Sequence, residues 1–329
     1  MPIFKNSGLI SGNLHLVDLM QFNTPKVTSA FVYSGSETSI IMDTGTSLNV
    51  DAVLNFLDAA SIPKSSVRWI TGTHYHFDHM GGATELWQRL KVFNPEVKIA
   101  VPEDMMYMLQ NSALHLQGAK TTFGPFIGTM EPAPESAFEP LKKNHPYTIS
   151  GNAELTLVQT PGHTPDHCSP TLHVKGEPVF TFAGESCGCL YHQTRIISSP
   201  TSMPPNFSYE AYIASLDRVL ALEPDIIGFC HFGALRGREK VKEYITLHRE
   251  EMAVFRDTVD KAYRKSGSVK EAIDATVGLI KEGFDPSAGI PEAYYKNLTL
   301  GLVYGMLIDL GHREPKYEPR NPAADEKNT

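Results

Sequence analysis

The segment Thr73-His74-Tyr75-His76-Phe77-Asp78-His79-Met80-Gly81-Gly82 packs four candidate metal ligands into six residues, directly behind the apolar run Val67–Thr71. In an extended loop His74 and His76 point the same way. Asp78 and His79 emerge where the chain turns into a helix, whose Ala83, Leu86, Trp87 and Leu90 fall at i, i+3, i+4 and i+7. One loop can therefore feed two adjacent ions. Gly81 and Gly82 permit the tight turn, and the helix behind them aims its N-terminus at the site. A solvated histidine-rich loop is the bland alternative, and the density and spacing of the ligands argue against it.

Working outward, residues 13–20 and 29–43 are rich in β-branched and aromatic side chains and read as strands. Val53, Leu54 and Leu57 switch to helical spacing, and a further strand is expected at 97–101. This order implies an α/β layered architecture with helices covering a sheet. Residues 102–148 look less regular, with a short helix near Met105 and a Pro-rich surface excursion over 124–146. Strands return at 153–160, 169–174, 178–183 and 225–230, with a helix between the last two that opens at Ser208 and stops before Pro224. Three of these strands are followed by a further candidate ligand: His163 in Pro161-Gly162-His163, Glu185 after Gly184, and His231 after Cys230. Strand ends on one sheet edge are where loops converge on a site. The donor set is histidine and carboxylate with no thiolate, which suits zinc, iron or manganese.

From Gly237 onward the chain reads as three helices, the last over 291–310 with Leu298, Leu302, Met306 and Leu310 as its stripe. We divide the chain into a domain over 1–236 and a helical C-terminal extension over 237–329, with a frayed tail from 313.

The H-x-H-x-D-H motif, followed in order by Pro-Gly-His, Gly-Glu and His231-Phe232-Gly233, resembles the metallo-β-lactamase-fold superfamily of metallohydrolases. Ile41-Met42-Asp43-Thr44-Gly45 resembles its strand-Asp-Gly element. The similarity spans about residues 10–240. It implies a four-layer αβ/βα sandwich, with a helical extension placed like that of glyoxalase II. It also implies His74, His76 and His163 around one metal, and Asp78, His79 and His231 around a second. Glu185 stands at the bridging position, where the family usually has Asp. Asp43 and His167 would orient ligands from behind, and Asp78 would orient the attacking hydroxide. Two divalent ions, zinc expected and iron or manganese as alternatives, lower the pKa of bound water to about 7. A small ester, thioester or lactone is the expected substrate; the fold likeness does not imply antibiotic hydrolysis.

Composition narrows the partners. Against 29 Lys and Arg stand 37 Asp and Glu, a net charge of −8, and no basic block could neutralise phosphates, so nucleic acid is not expected. No apolar run suggests a membrane span or a leader, and four cysteines make no disulfide scaffold, so a cytoplasmic chain fits best. Gly184-Glu185-Ser186-Cys187-Gly188 is a literal G-x-S-x-G, which would make Ser186 a nucleophile with Asp225 and His231. The residues after it show no helical pattern, which disfavours that reading. A stronger rival is a non-haem iron redox, oxygen-binding or sulfur-metabolising protein, since all four cysteines flank candidate ligands; a non-catalytic metal-containing effector is a third. Tyr191, His192 and Arg195 are candidate cleft residues. The Leu298, Leu302 and Met306 stripe, where Gly301 and Gly305 allow close approach, reads as intramolecular core rather than dimer interface, and a homodimer is expected nonetheless. His15, His115, His145, His173, His248 and His312 lack ligand spacing and read as surface residues.

Overall fold

Branched and aromatic runs form the strands of two seven-stranded sheets. The computed structural model describes residues 3–190, 198–282 and 292–315, with side chains in the last stretch from Tyr295 onward. Tyr191, His192 and Arg195 lie outside the described residues. Strand β1 (Ile3–Phe4) belongs to the second sheet. The first sheet runs in spatial order through β2 (Gly8–Ser11), β3 (Leu14–Asp18), β4 (Ser29–Ser34), β5 (Ser39–Met42), β6 (Val67–Thr71), β7 (Lys98–Val101) and β8 (Phe138–Pro140). The second contains β9 (Pro146–Ser150), β10 (Ala153–Gln159), β11 (Cys168–Val174), β12 (Glu177–Gly184), β13 (Ile226–Phe229) and β14 (Gly233–Arg236), in the order β1-β14-β13-β12-β11-β10-β9.

The inner faces meet through aromatic rings. Phe31 of β4 contacts Phe180 and Phe182 of β12, with ring centroids 4.9 and 4.8 Å apart. All three are fully buried, each contributing roughly 1.5–3 kcal/mol of hydrophobic stabilisation. Helices α1 (Val50–Ala59), α2 (Ala83–Leu90) and α3 (Glu103–Gln110) cover the outer face of the first sheet. After α4 (Ala113–Phe123), helices α5 (Tyr209–Leu222) and α6 (Arg238–Ser266) cover the second. The result is the four-layer sandwich. Helices α7 (Val269–Glu282) and α8 (Glu292–Asp309) follow, and Ser268 Oγ accepts from the Glu271 backbone N–H at the start of α7.

Strand direction places the site. β10 and β12 each run antiparallel to β11 and so parallel to one another, and β13 is parallel to β12. In the other sheet β5 and β6 are parallel. The loops leaving these strands carry Asp43, residues 72–82, His163, Glu185 and His231, and the side-chain distances below bring them to one sheet edge.

Some expectations need correcting. The stretch 102–148 holds the expected short helix, α3, but also the eleven-residue α4 and β8, which pairs parallel with β7 as the edge strand. β14 follows β13 as an antiparallel hairpin. His248 is no surface residue: it is fully buried in α6, with Nε2 2.7 Å from Tyr212 Oη and Nδ1 2.7 Å from Ser198 Oγ. The Leu298, Leu302 and Met306 stripe of α8 is spent inside the molecule, in one apolar cluster with Met252 and Phe255 of α6. Its glycines serve the same packing, since a Cβ on Gly305 would meet Ser202 O at 2.0 Å.

Candidate metal centre

The loop after β6 is shaped by its neighbours. Asp43, at φ 62°, accepts from Thr73 N–H at 2.7 Å through Oδ1 and places Oδ2 3.3 Å from His79 Nδ1. Asp is among the few residues that adopt this left-handed backbone locally. Gly81 has no room for a side chain, because its Cβ would meet Phe77 O at 2.0 Å.

Each imidazole is oriented from behind. His163 Nδ1–H donates to Thr201 O at 2.6 Å and His231 Nδ1–H donates to Val27 O at 3.0 Å, which turns both Nε2 lone pairs inward. His74 Nδ1 lies 3.0 Å from Thr73 Oγ1, and His76 Nδ1 lies 3.2 Å from His163 Nε2. Glu185 sits at the middle. Its Oε2 is 2.6 Å from His163 Nε2, 3.3 Å from His74 Nε2 and 3.7 Å from His79 Nε2, and its Oε1 is 3.9 Å from His231 Nε2. Asp78 Oδ2 lies 3.5 Å from the Nε2 atoms of both His79 and His231.

Two buried donor groups result. His74, His76, His163 and Glu185 offer ligand atoms within 4.8 Å of one another, and so do His79, Glu185, Cys230 and His231. Glu185 is common to both. Cys230 corrects the expectation of a thiolate-free donor set, since its sulfur joins the second group. Burial pushes His74, His76 and His167 well below the ordinary imidazole pKa, and their charged-form repulsion pushes the same way. Burial also lowers His231. Neutral imidazoles are the form that binds metal. Burial acts the same way on His79, but Asp78, Asp43 and Glu185 outweigh it and lift it to about 9. Burial opposes ionisation of Glu185, yet His163, His74 and His231 hold its carboxyl well below the usual range.

The donors fit a divalent cation by a test internal to the fold. The Nε2 atoms of His74 and His79 are buried without a hydrogen-bond partner among the described residues, while His79 Nδ1 faces Asp43. Such orphaned groups cost about 1–3 kcal/mol each, and a cation facing their lone pairs removes that penalty.

Glu185 is gripped by its own backbone. His167 Nε2 accepts its N–H at 3.2 Å, while His167 Nδ1 lies 2.9 Å from Thr160 Oγ1 and the ring stacks on His74. The hydroxyls of Tyr212 and Thr201 both donate to Glu185 O, each at 3.0 Å. Gly184 precedes it at φ 58°, where a Cβ would meet His167 Nε2 at 2.7 Å. Ser186 is fully buried, donates to Ala183 O at 2.8 Å and is followed by turn rather than helix, so no nucleophile elbow forms.

His115 of α4 is a second correction. Its ring lies parallel to His76, and its Nε2 accepts the Phe77 backbone N–H at 3.0 Å. Burial lowers its pKa to about 4. The same cleft that exposes the donors is a cavity of about 740 Å³. No helix among the described residues is long and apolar enough to cross a membrane.

Comparison with known proteins agrees with this geometry. The chain is 27% identical over 250 residues to the metallo-beta-lactamase fold-containing protein ST1585 of Sulfurisphaera tokodaii, covering 73% of this chain and 87% of that protein. The solved structure of ST1585 superposes with a TM-score of 0.58 at 25% identity, covering 72% of this chain and 86% of that one. The metallo-beta-lactamase family protein TTHA1429 from Thermus thermophilus shares the fold at a TM-score of 0.60 and 15% identity, over 91% and 93% of the two chains. The family model for the metallo-beta-lactamase superfamily matches residues 23–231, a span that begins before the first sheet is complete and closes on the last histidine of the donor set. By fold, by donor geometry and by that match, the chain belongs to the metallo-beta-lactamase superfamily.

Proposed function

We propose that this chain is a metal-dependent hydrolase with a dinuclear centre, acting on a small ester, thioester or lactone. One observation carries the reading: a single carboxylate, Glu185, belongs to two adjoining buried donor groups and lines a substrate-sized cavity. We assign one ion to His74, His76 and His163, and a second to Asp78, His79 and His231, with Glu185 between them and Cys230 beside the second. Divalent ions held there lower the pKa of a bound water towards neutrality and polarise an acyl oxygen.

The chain's own groups do the rest. The Asp78 side chain is 15% exposed, against 8% for Glu185 and 5% for His231. It is therefore placed to accept a hydrogen bond from the attacking water and to orient it. The new acyl C–O bond forms as the C–O or C–S bond to the leaving group breaks, yielding an acid with an alcohol or thiol. Zinc suits the nitrogen-rich donor set.

The buried cysteines give the redox rival little support. All four are free of disulfides, and burial pushes the thiols of Cys168, Cys187 and Cys230 up, that of Cys187 to about 12. Protonated thiols are poor nucleophiles.

Elemental analysis of freshly purified protein, followed by a panel of esters, thioesters and lactones, tests the proposal. Two equivalents of zinc with chelator-sensitive hydrolysis support it. Protein fully loaded with zinc that cleaves none of the three classes, or iron with oxygen uptake, overturns it.

A further inference from the structure

We propose that the substrate is uncharged and that its acyl part is an apolar chain seated between α4 and α8. The inference rests on the hydrolytic reading of the centre and names the substrate class that the centre takes.

The cavity holds His76, Asp78, Glu185 and His231 where the donors meet, and away from them its walls are mainly apolar, with Gln21, Gln117, Thr121, Thr122 and Asn297 set among the apolar side chains. Leu114, Ala119 and Phe123 line it from α4, and Leu298, Leu300 and Tyr304 from α8. Asn297 Nδ2 donates to Thr122 O at 2.9 Å and ties the two helices together across the far side. The wall is set firmly, because Gly301 and Gly305 bring α8 against Met203 and Ser202 with no space for a side chain between. Leu114 and Leu300 remain 53% and 41% exposed while lining this same cleft from opposite helices. Exposed leucines scattered singly need no explanation, whereas two that line one concave site mark a place where apolar ligand surface is covered.

Charge selects against anions. No lysine or arginine occurs among the described lining residues, while Asp78 and Glu185 do. Outside the metal centre itself, a leaving group bearing phosphates or several carboxylates would meet Asp78 and Glu185 with no lysine or arginine beside it among the described residues. A neutral alcohol, thiol or lactone ring meets no such penalty.

Two chain-length series on the zinc-loaded protein test the assignment. One series consists of uncharged phenyl esters from acetyl to decanoyl, read as kcat/KM. The other consists of alkyl methyl ketones of matching length, read as affinity by calorimetry, which needs no turnover. Both are expected to rise about three- to fourfold per methylene until the cleft is filled. The double variant Leu114→Asn/Leu300→Asn, at two exposed positions, is expected to flatten both dependences while retaining the wild-type melting temperature. Ketone affinity that ignores chain length overturns the inference whether or not esters are cleaved. Faster turnover of polyanionic thioesters than of neutral ones of equal acyl length also overturns it. Chain-dependent ketone binding without hydrolysis of any ester supports the apolar occupant and overturns the hydrolytic reading alone.

Discussion

The imidazole of His115 lies flat against that of His76, their planes 3° apart and their centroids separated by 4.7 Å. Because His115 Nε2 accepts the Phe77 N–H, its proton sits on Nδ1, and the ring is locked as a neutral plate behind a candidate ligand. His115→Ala is expected to free the His76 ring and weaken zinc binding by about 10-fold, as loss of a ligand-orienting group does. Competition with a chromophoric chelator measures this, and unchanged affinity would show that the stack positions nothing.

Glu185 reaches both donor groups by virtue of its length. Glu185→Asp keeps the charge and shortens the arm by one methylene, so occupancy is expected to fall from two ions towards one after dialysis against weak chelator. Glu185→Gln removes the charge that draws the imidazoles in and is expected to lose more. Metal-to-protein ratios decide the matter; two full equivalents in Glu185→Asp would mean that the carboxylate is not shared.

Zinc should stabilise the fold, because it binds the assembled donor groups of the native state and satisfies buried Nε2 atoms that lack a hydrogen-bond partner. At a free zinc concentration about 100 times Kd the gain is about 2.7 kcal/mol. Thermal unfolding with and without chelator reads it directly. A melting temperature indifferent to metal would contradict the donor geometry.

His248 predicts an acid weakness one hydroxyl removed from the Glu185 backbone. It faces Tyr212, the parallel ring of Tyr244 and, through Ser198, Glu251, and burial lowers its pKa to about 3. Between that value and 6.5 the unfolded chain takes up a proton that the native state refuses. Stability therefore falls as pH drops through this window, by roughly 1.4 kcal/mol per pH unit. Replacing His248 with Gln should remove that contribution. Urea unfolding across the window would show a shallower pH slope in the variant, and an identical slope would exclude His248 as the source.

At Gly305 the obstruction is backbone, Ser202 O, which cannot swing aside as a side chain would. Gly305→Ala should gain up to about 1 kcal/mol in helix propensity yet lose about 1–3 kcal/mol to overpacking. Net destabilisation in chemical denaturation is expected, together with weaker binding of the longer ketones.

The donors were legible because metal coordination needs particular residue types at short spacings, and His74 to His79 advertise it within one loop. Glu185 and His231 were legible from their places after buried strands. His115 was not, for its partners His76 and Phe77 lie 39 and 38 residues away, and α4 around it, Ala113-Leu-His-Leu-Gln-Gly-Ala-Lys-Thr-Thr-Phe123, carries no regular apolar stripe. The reason is spatial: one of its apolar sides faces a cleft rather than the core. His248 was hidden in the same way, since only the fold brings Tyr212 and Ser198 to it. β8 is three residues long and depends on β7 for its existence. Cys230 was legible only as the chain neighbour of His231; that its sulfur lies within reach of the ligand atoms of His79, Glu185 and His231 is a property of the fold.

Every proposed donor, and every group that steers one, lies between Val27 and His231, whereas the far side of the cleft is built by α8, the last helix described. The cleft therefore joins two parts of the sequence: α4 and the donor-bearing loops supply one wall, and α8 supplies the other from beyond the last proposed donor. Substitutions confined to α8 can retune what the cleft admits without touching a single proposed ligand.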